Sequence, residues 1–166
     1  MRSTSGGSVL AAATALVLGA GAAAAQPAAM GWQGFANAWI AAHAQRVRGQ
    51  APREARKSCE GDINGDGHGD VVVIYTIEAG GSGAWTQYAT VLTSTQQGYG
   101  ATLPKEVGGK GTRIVESCAV APGKVEISFK TWAAADAACC PSVPGKATLS
   151  FANGALAEAP SASSSR

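Results

Sequence analysis

The chain has 166 residues, 46% of them hydrophobic, 14% charged and 6% aromatic, with a formal net charge of +2. That length accommodates one domain, or one domain with a tail. The small charge forms no basic stripe, which argues against a nucleic-acid partner; much of the apolar share is alanine, which buries little area.

Residues 1–25 read as a secretory signal peptide. Arg2 supplies the positive start, Val9 to Gly21 an apolar stretch, and Ala23-Ala24-Ala25 a small-residue cleavage site before Gln26. A membrane anchor would need about 20 strongly apolar residues, whereas this stretch is mostly Ala and Gly. The expectation is an exported protein, periplasmic or secreted, with no stable membrane anchor after processing. A single domain is expected over residues 26–158, nearly neutral with 12 basic and 11 acidic side chains in the processed chain.

After a short linker at 26–30, Trp32, Phe35, Ala36, Trp39, Ile40, His43 and Val47 recur at spacings of three and four. This predicts an amphipathic helix over 31–48, with Arg46 and Arg48 in its last turn and Gly49 as its stop. His43 lies on the apolar stripe and reads as a half-buried, satisfied histidine. Residues 50–58 form a basic connector carrying Arg53, Arg56 and Lys57.

Beyond the connector the pattern changes to strands. Val71 to Ile77 is dense in β-branched and aromatic residues, as in a central strand. Trp85 to Thr93 alternates, a weaker strand is expected between Tyr99 and Leu103, and 112–120 and 125–132 flank a Pro122-Gly123 turn. Ala147, Leu149 and Phe151 mark another strand, turned by Asn153-Gly154 toward Ala155-Leu156-Ala157. Short turns between strands predict an α+β fold, the N-terminal helix packed on an antiparallel β-meander of about five to seven strands. Residues 159–166, rich in Ser and Pro, read as a disordered tail.

The four cysteines, Cys59, Cys118, Cys139 and Cys140, all lie beyond the signal peptide, and an exported compartment permits disulfides. Three pairings are possible. One joins the adjacent Cys139 and Cys140 in a very small strained ring, and the other two tie Cys59 and Cys118 to that pair. Two structural disulfides are expected, and a bridge closing some tens of residues would contribute roughly 3–4 kcal/mol in a chain-entropy description.

One stretch carries chemistry. Asp62-Ile63-Asn64-Gly65-Asp66-Gly67-His68-Gly69-Asp70 places oxygen-bearing side chains at positions 1, 3, 5 and 9 of a loop. Calcium takes six to eight hard oxygen ligands. Asp62, Asn64 and Asp66, the main-chain oxygen of His68, and Asp70 directly or through water are the expected set, with Gly67 at the sharp turn. Between Lys57 and Lys105 there is no Lys or Arg, and five acidic residues give that stretch a formal charge of −5. Carboxylates gathered in one loop repel one another unless a cation is present. The calcium ion is expected to be single and structural.

An EF-hand would need Glu at position 12 and an exiting helix; position 12 is Val73, inside the β-branched run. The stretch instead resembles the D-x-N-x-D-G-x-x-D loops of FG-GAP (integrin α-type) repeats, in which the loop leads directly into a strand. That resemblance covers about 16 residues, to Ile77, and implies Asp62, Asn64, Asp66, His68 and Asp70 as ligands. It implies the loop–strand element and not a propeller, since the chain holds one copy. A looser resemblance covers residues 59–150. The calcium loop, Val73 to Glu78, Trp85 to Tyr88, Val107 to Gly111 and Cys139 to Ser142, in that order, are similar to a group of small exported bacterial proteins of unassigned function.

Residues 107–112 are glycine-rich but are no phosphate-binding P-loop, because Pro104 stands where its first glycine would fall and Gly111 follows Lys110. There is no G-x-S-x-G elbow. The expectation is a non-enzymatic exported domain that interacts with an extracytoplasmic protein, peptide or glycan. The alternative is a secreted hydrolase or thiol-redox protein using His43 or the adjacent cysteines.

Overall fold

A computed structural model describes residues 30–80 and 83–158. The segments read as signal peptide (1–25) and as tail (159–166) lie outside the described residues. The first described element is α1 (Trp32–Arg46). It buries Ala36, Ile40, His43 and Ala44, while Trp32, Phe35 and Trp39 are half-buried. Val47, expected on the buried stripe, is 38% exposed, because it caps the helix and stands past the last packed turn. The helix ends two residues earlier than expected. Arg48 takes a left-handed φ of 55° and donates its N–H to the Gln45 carbonyl, so Gly49 already belongs to a strand.

The first sheet contains β1 (Gly49–Gln50), β2 (Lys57–Gly61), β3 (Asp70–Ala79), β4 (Trp85–Thr95), β5 (Gly98–Ala101) and β6 (Lys105–Gly109). β3 is central: β1 and β2 share one of its edges and β4 takes the other. β4 in turn pairs with β5 at one end and β6 at the other. The second sheet runs in the order β10 (Ala155–Glu158), β9 (Val143–Ala152), β8 (Lys124–Thr131), β7 (Ile114–Ala121). Every pairing is antiparallel.

One helix with antiparallel sheets is an α+β arrangement, but the expected single meander is instead two stacked sheets of six and four strands. The side-chain period of two on β3 explains the stacking. Val72 and Ile74 face the second sheet and join Ala89, Val91, Val107, Val115, Val125, Ile127, Leu149 and Leu156 in one core. Val71, Val73, Tyr75 and Ile77 face the helix and pack with Ala36, Ile40 and Ala44 in another. The continuous apolar run of β3 is thus a strand covered on both faces, as its density predicts. The layers are helix, six-stranded sheet, four-stranded sheet.

The glycine-rich stretch from Val107 to Gly111 has a packing role. A Cβ at Gly108 would fall 2.7 Å from the Arg113 carbonyl oxygen and 2.8 Å from the Gln87 amide oxygen, so β6 and the start of β7 approach closely only without a side chain there. No helix among the described residues is long and apolar enough to cross a membrane.

Candidate metal-binding loop

Residues 62–69 connect β2 to β3, whose facing ends are Gly61 and Asp70. Only Ile63 of this connection is apolar, and it is buried in the core between the sheets. Its carbonyl accepts the Gly123 N–H at 2.8 Å, and the Gly123 carbonyl accepts the Phe151 N–H at 2.8 Å. The loop is therefore tied to the β7–β8 turn, and through it to the end of β9. A shallow cavity of about 380 Å³ separates the loop and the β7–β8 and β9–β10 connections, lined among others by Asn64, Pro122 and Asn153.

The polar side chains fold back on their own backbone. The Asp62 carboxylate accepts three amide N–H groups, from Gly65 at 2.7 Å, Asp66 at 3.1 Å and Gly67 at 2.8 Å. Asn64 accepts the Asp66 N–H at 3.0 Å, and Asp66 accepts the His68 N–H at 2.8 Å. The Asn64 side-chain N–H donates to the second Asp66 oxygen at 2.8 Å. Gly67 has a φ of 83°, the left-handed turn expected of it. The His68 N–H, followed by the Asn64 amide, holds the Asp66 carboxyl below its ordinary value.

Asn64 and Asp66 are in direct contact, and Asp62 grips the same turn through its backbone. Asp70 sits apart from them. It is fully buried at the start of β3, where one oxygen accepts the Ile63 N–H at 3.1 Å and the other the Ser94 N–H at 2.9 Å. Among the described residues no group of three or more His, Cys, Asp or Glu side chains is gathered as a metal site. The three carboxylates of the expected set, Asp62, Asp66 and Asp70, are thus not drawn together into one such group; the Asn64 amide and the His68 carbonyl are its remaining donors. Its donors are all oxygen, as a hard cation wants; Asp62 Oδ1 already accepts two N–H groups, whereas the other carboxylate oxygens of Asp62, Asp66 and Asp70 accept one each and keep a further lone pair.

His43 is buried as a polar member of the helix layer. Its Nδ1 lies 2.8 Å from the Tyr75 hydroxyl, and its ring meets that of Tyr88 edge-on at 4.7 Å. Burial, and then the Arg46 charge, lower the His43 pKa from 6.5. The cysteines pair as Cys59–Cys118 and Cys139–Cys140. The pairing that joins the two adjacent residues is thus the one observed. Cys59 and Cys118 stand on β2 and β7 with Cα atoms 5.8 Å apart, where the edges of the two sheets meet.

Cys139 and Cys140 occupy the β8–β9 connection, ordered by Asp136, which accepts N–H groups from Ala133 and Ser142 at 2.8 Å each. His43 belongs to the helix layer and the adjacent cysteines to the far sheet, so the two are not assembled into one site. Sequence reasoning missed two polar clasps, Gln87 with Val115 and Arg113 with Glu158. It also read Arg53, Arg56 and Lys57 as a connector, where three cations within five residues were the available signal. Comparison with protein-family models, curated proteins and solved structures finds no match.

Proposed function

We propose that this chain is an exported, non-enzymatic domain that binds one structural calcium ion through its 62–70 loop. In that reading it acts as an interaction module toward an extracytoplasmic protein, peptide or glycan. The observation that carries the reading is the curl of the loop, in which the alternate side chains Asp62, Asn64 and Asp66 accept the consecutive backbone N–H groups of residues 65 to 68. Asp62, Asn64 and Asp66 would hold the ion with the His68 carbonyl, and Asp70 directly or through water. Calcium supplies positive charge where the −5 stretch lacks any. The chain's part is to anchor the loop, through Ile63 in the core and its carbonyl on Gly123, so that an ion there secures the β2–β3 connection to the second sheet. The Cys59–Cys118 bridge is in keeping with an oxidising compartment.

Extracellular calcium modules have dissociation constants of about 10⁻⁴–10⁻³ M, and tenfold excess over such a value adds about 1.4 kcal/mol. Melting in chelator and in millimolar calcium tests this. Wild type is expected to gain a few degrees in calcium and Asp66→Ala to gain nothing; coincident melts of the wild type overturn the site. Sequencing the N-terminus of exported protein is expected to begin at Gln26.

A further inference from the structure

A cleft of about 290 Å³ opens between the first turns of α1 and the start of β2. Arg53, Arg56 and Lys57 line it together with Trp32, Asn37 and Val73, and no acidic side chain does. None of the three cations takes part in an ion pair among the described residues. Glu54 acts on Arg56 only as a weaker attraction, smaller than the effects of burial and of Arg53.

Arg56 is the centre of the cleft's chemistry. One end of its guanidinium is positioned by the Asn37 amide oxygen, 2.5 Å from Nη1. Its Nε is out of water and has no acceptor. Holding a guanidinium half out of water with a second arginine beside it, and no counter-ion, is uphill. An entering anion removes that cost. The planar guanidinium suits a carboxylate, which can accept two parallel hydrogen bonds from it. Trp32, Ala36 and Val73 also line the cleft, and these apolar residues favour an apolar body. A volume near the lower limit of ligand pockets restricts that body to about one ring.

We propose that this cleft binds a small organic carboxylate, its anionic end held by Arg53, Arg56 and Lys57 and its apolar ring set against Trp32 and Val73. The site is separate from the 62–70 loop and does not depend on calcium there.

The test is an NMR titration of the purified protein in chelator with benzoate, benzyl alcohol and inorganic phosphate. Benzoate is expected to give saturable shifts at the Trp32 indole and the amides of 53–58. Benzyl alcohol should leave these signals in place, and phosphate should bind more weakly than benzoate. Arg56→Gln is expected to weaken benzoate by about tenfold or more. Arg53→Gln, at an exposed position, should also weaken it and covers the case in which the Arg56 variant does not fold. No saturable response to benzoate, equal binding of benzyl alcohol, phosphate binding as tight as benzoate, or undiminished binding by both folded variants each overturns the proposal.

Discussion

The side chain of Gln87 on β4 bridges to the backbone of Val115 on β7 at both of its polar ends. Its amide oxygen accepts the Val115 N–H at 2.7 Å, and its amide nitrogen donates to the Val115 carbonyl at 3.4 Å. Val115 lies beside a register shift in the β7–β8 pairing, and both residues are buried. A side chain thus takes the place of a neighbouring strand and fastens one sheet to the other.

Replacing Gln87 by Leu keeps the volume but strands a buried N–H and C=O. The expected loss is about 2–3 kcal/mol, measured as a lower urea midpoint with an unchanged slope.

Arg113 and Glu158 form a second clasp, through two hydrogen bonds of 2.7 and 2.6 Å. The same guanidinium donates from Nε to the Val107 carbonyl and lies 4.8 Å from the centre of the Phe129 ring. Arg113→Lys keeps the charge and loses the fork, with an expected cost of about 1 kcal/mol at this partly exposed site. The arginine holds the Glu158 carboxyl below its ordinary 4.5. The pair's contribution is therefore complete above about pH 4.5 and lost as pH falls through the folded-state value. Glu158→Gln is expected to flatten that acid limb in unfolding curves taken from pH 5 downward.

His43 titrates in a different window. Its pKa is lowered from 6.5, so the unfolded chain takes up the proton first, and stability declines as pH drops below about 6.5 toward the folded value. His43→Gln is expected to remove this limb while leaving the Glu158 limb in place. Tyr75→Phe deletes the hydroxyl beside Nδ1 and should cost about 1 kcal/mol at pH 8.

The two disulfides should contribute unequally. Cys59–Cys118 spans 59 residues, for which loop closure predicts about 4 kcal/mol. Cys139–Cys140 joins neighbours with no residue between them, so its small ring removes little freedom from the unfolded chain. Replacing Cys59 and Cys118 together by Ala is expected to lower the melting temperature by many degrees. Replacing Cys139 and Cys140 together by Ser should shift it little.

Local chemistry made the elements readable. The density of residues 71–77, the Pro122-Gly123 and Asn153-Gly154 turns, and the helical spacing from Trp32 each correspond to an observed element. What could not be read is pairing at a distance. Nothing in the period of Lys57–Gly61 marks it as a strand, since β2 is short, polar and held by its register on β3. The run in β3 reports burial on two faces without saying that one cover is a helix and the other a second sheet. The loop residues stand out in the sequence because their spacing is local, yet the position of Asp70, whose partners are Ile63 and Ser94, depends on strand β4. Gln87 was one polar residue in an alternating strand, and only the approach of β7 gives it a task.

Because the two faces of β3 belong to different cores, adjacent residues on it govern different openings of the molecule. The helix layer rests on Val71, Val73, Tyr75 and Ile77 and carries no covalent tie, whereas the sheets are also cross-linked through Cys59–Cys118. Detachment of α1 is then a sub-global unfolding that leaves the paired sheets standing. Amide exchange in α1 should proceed through this cheaper opening, and exchange in the centre of β3 only when the whole molecule comes apart.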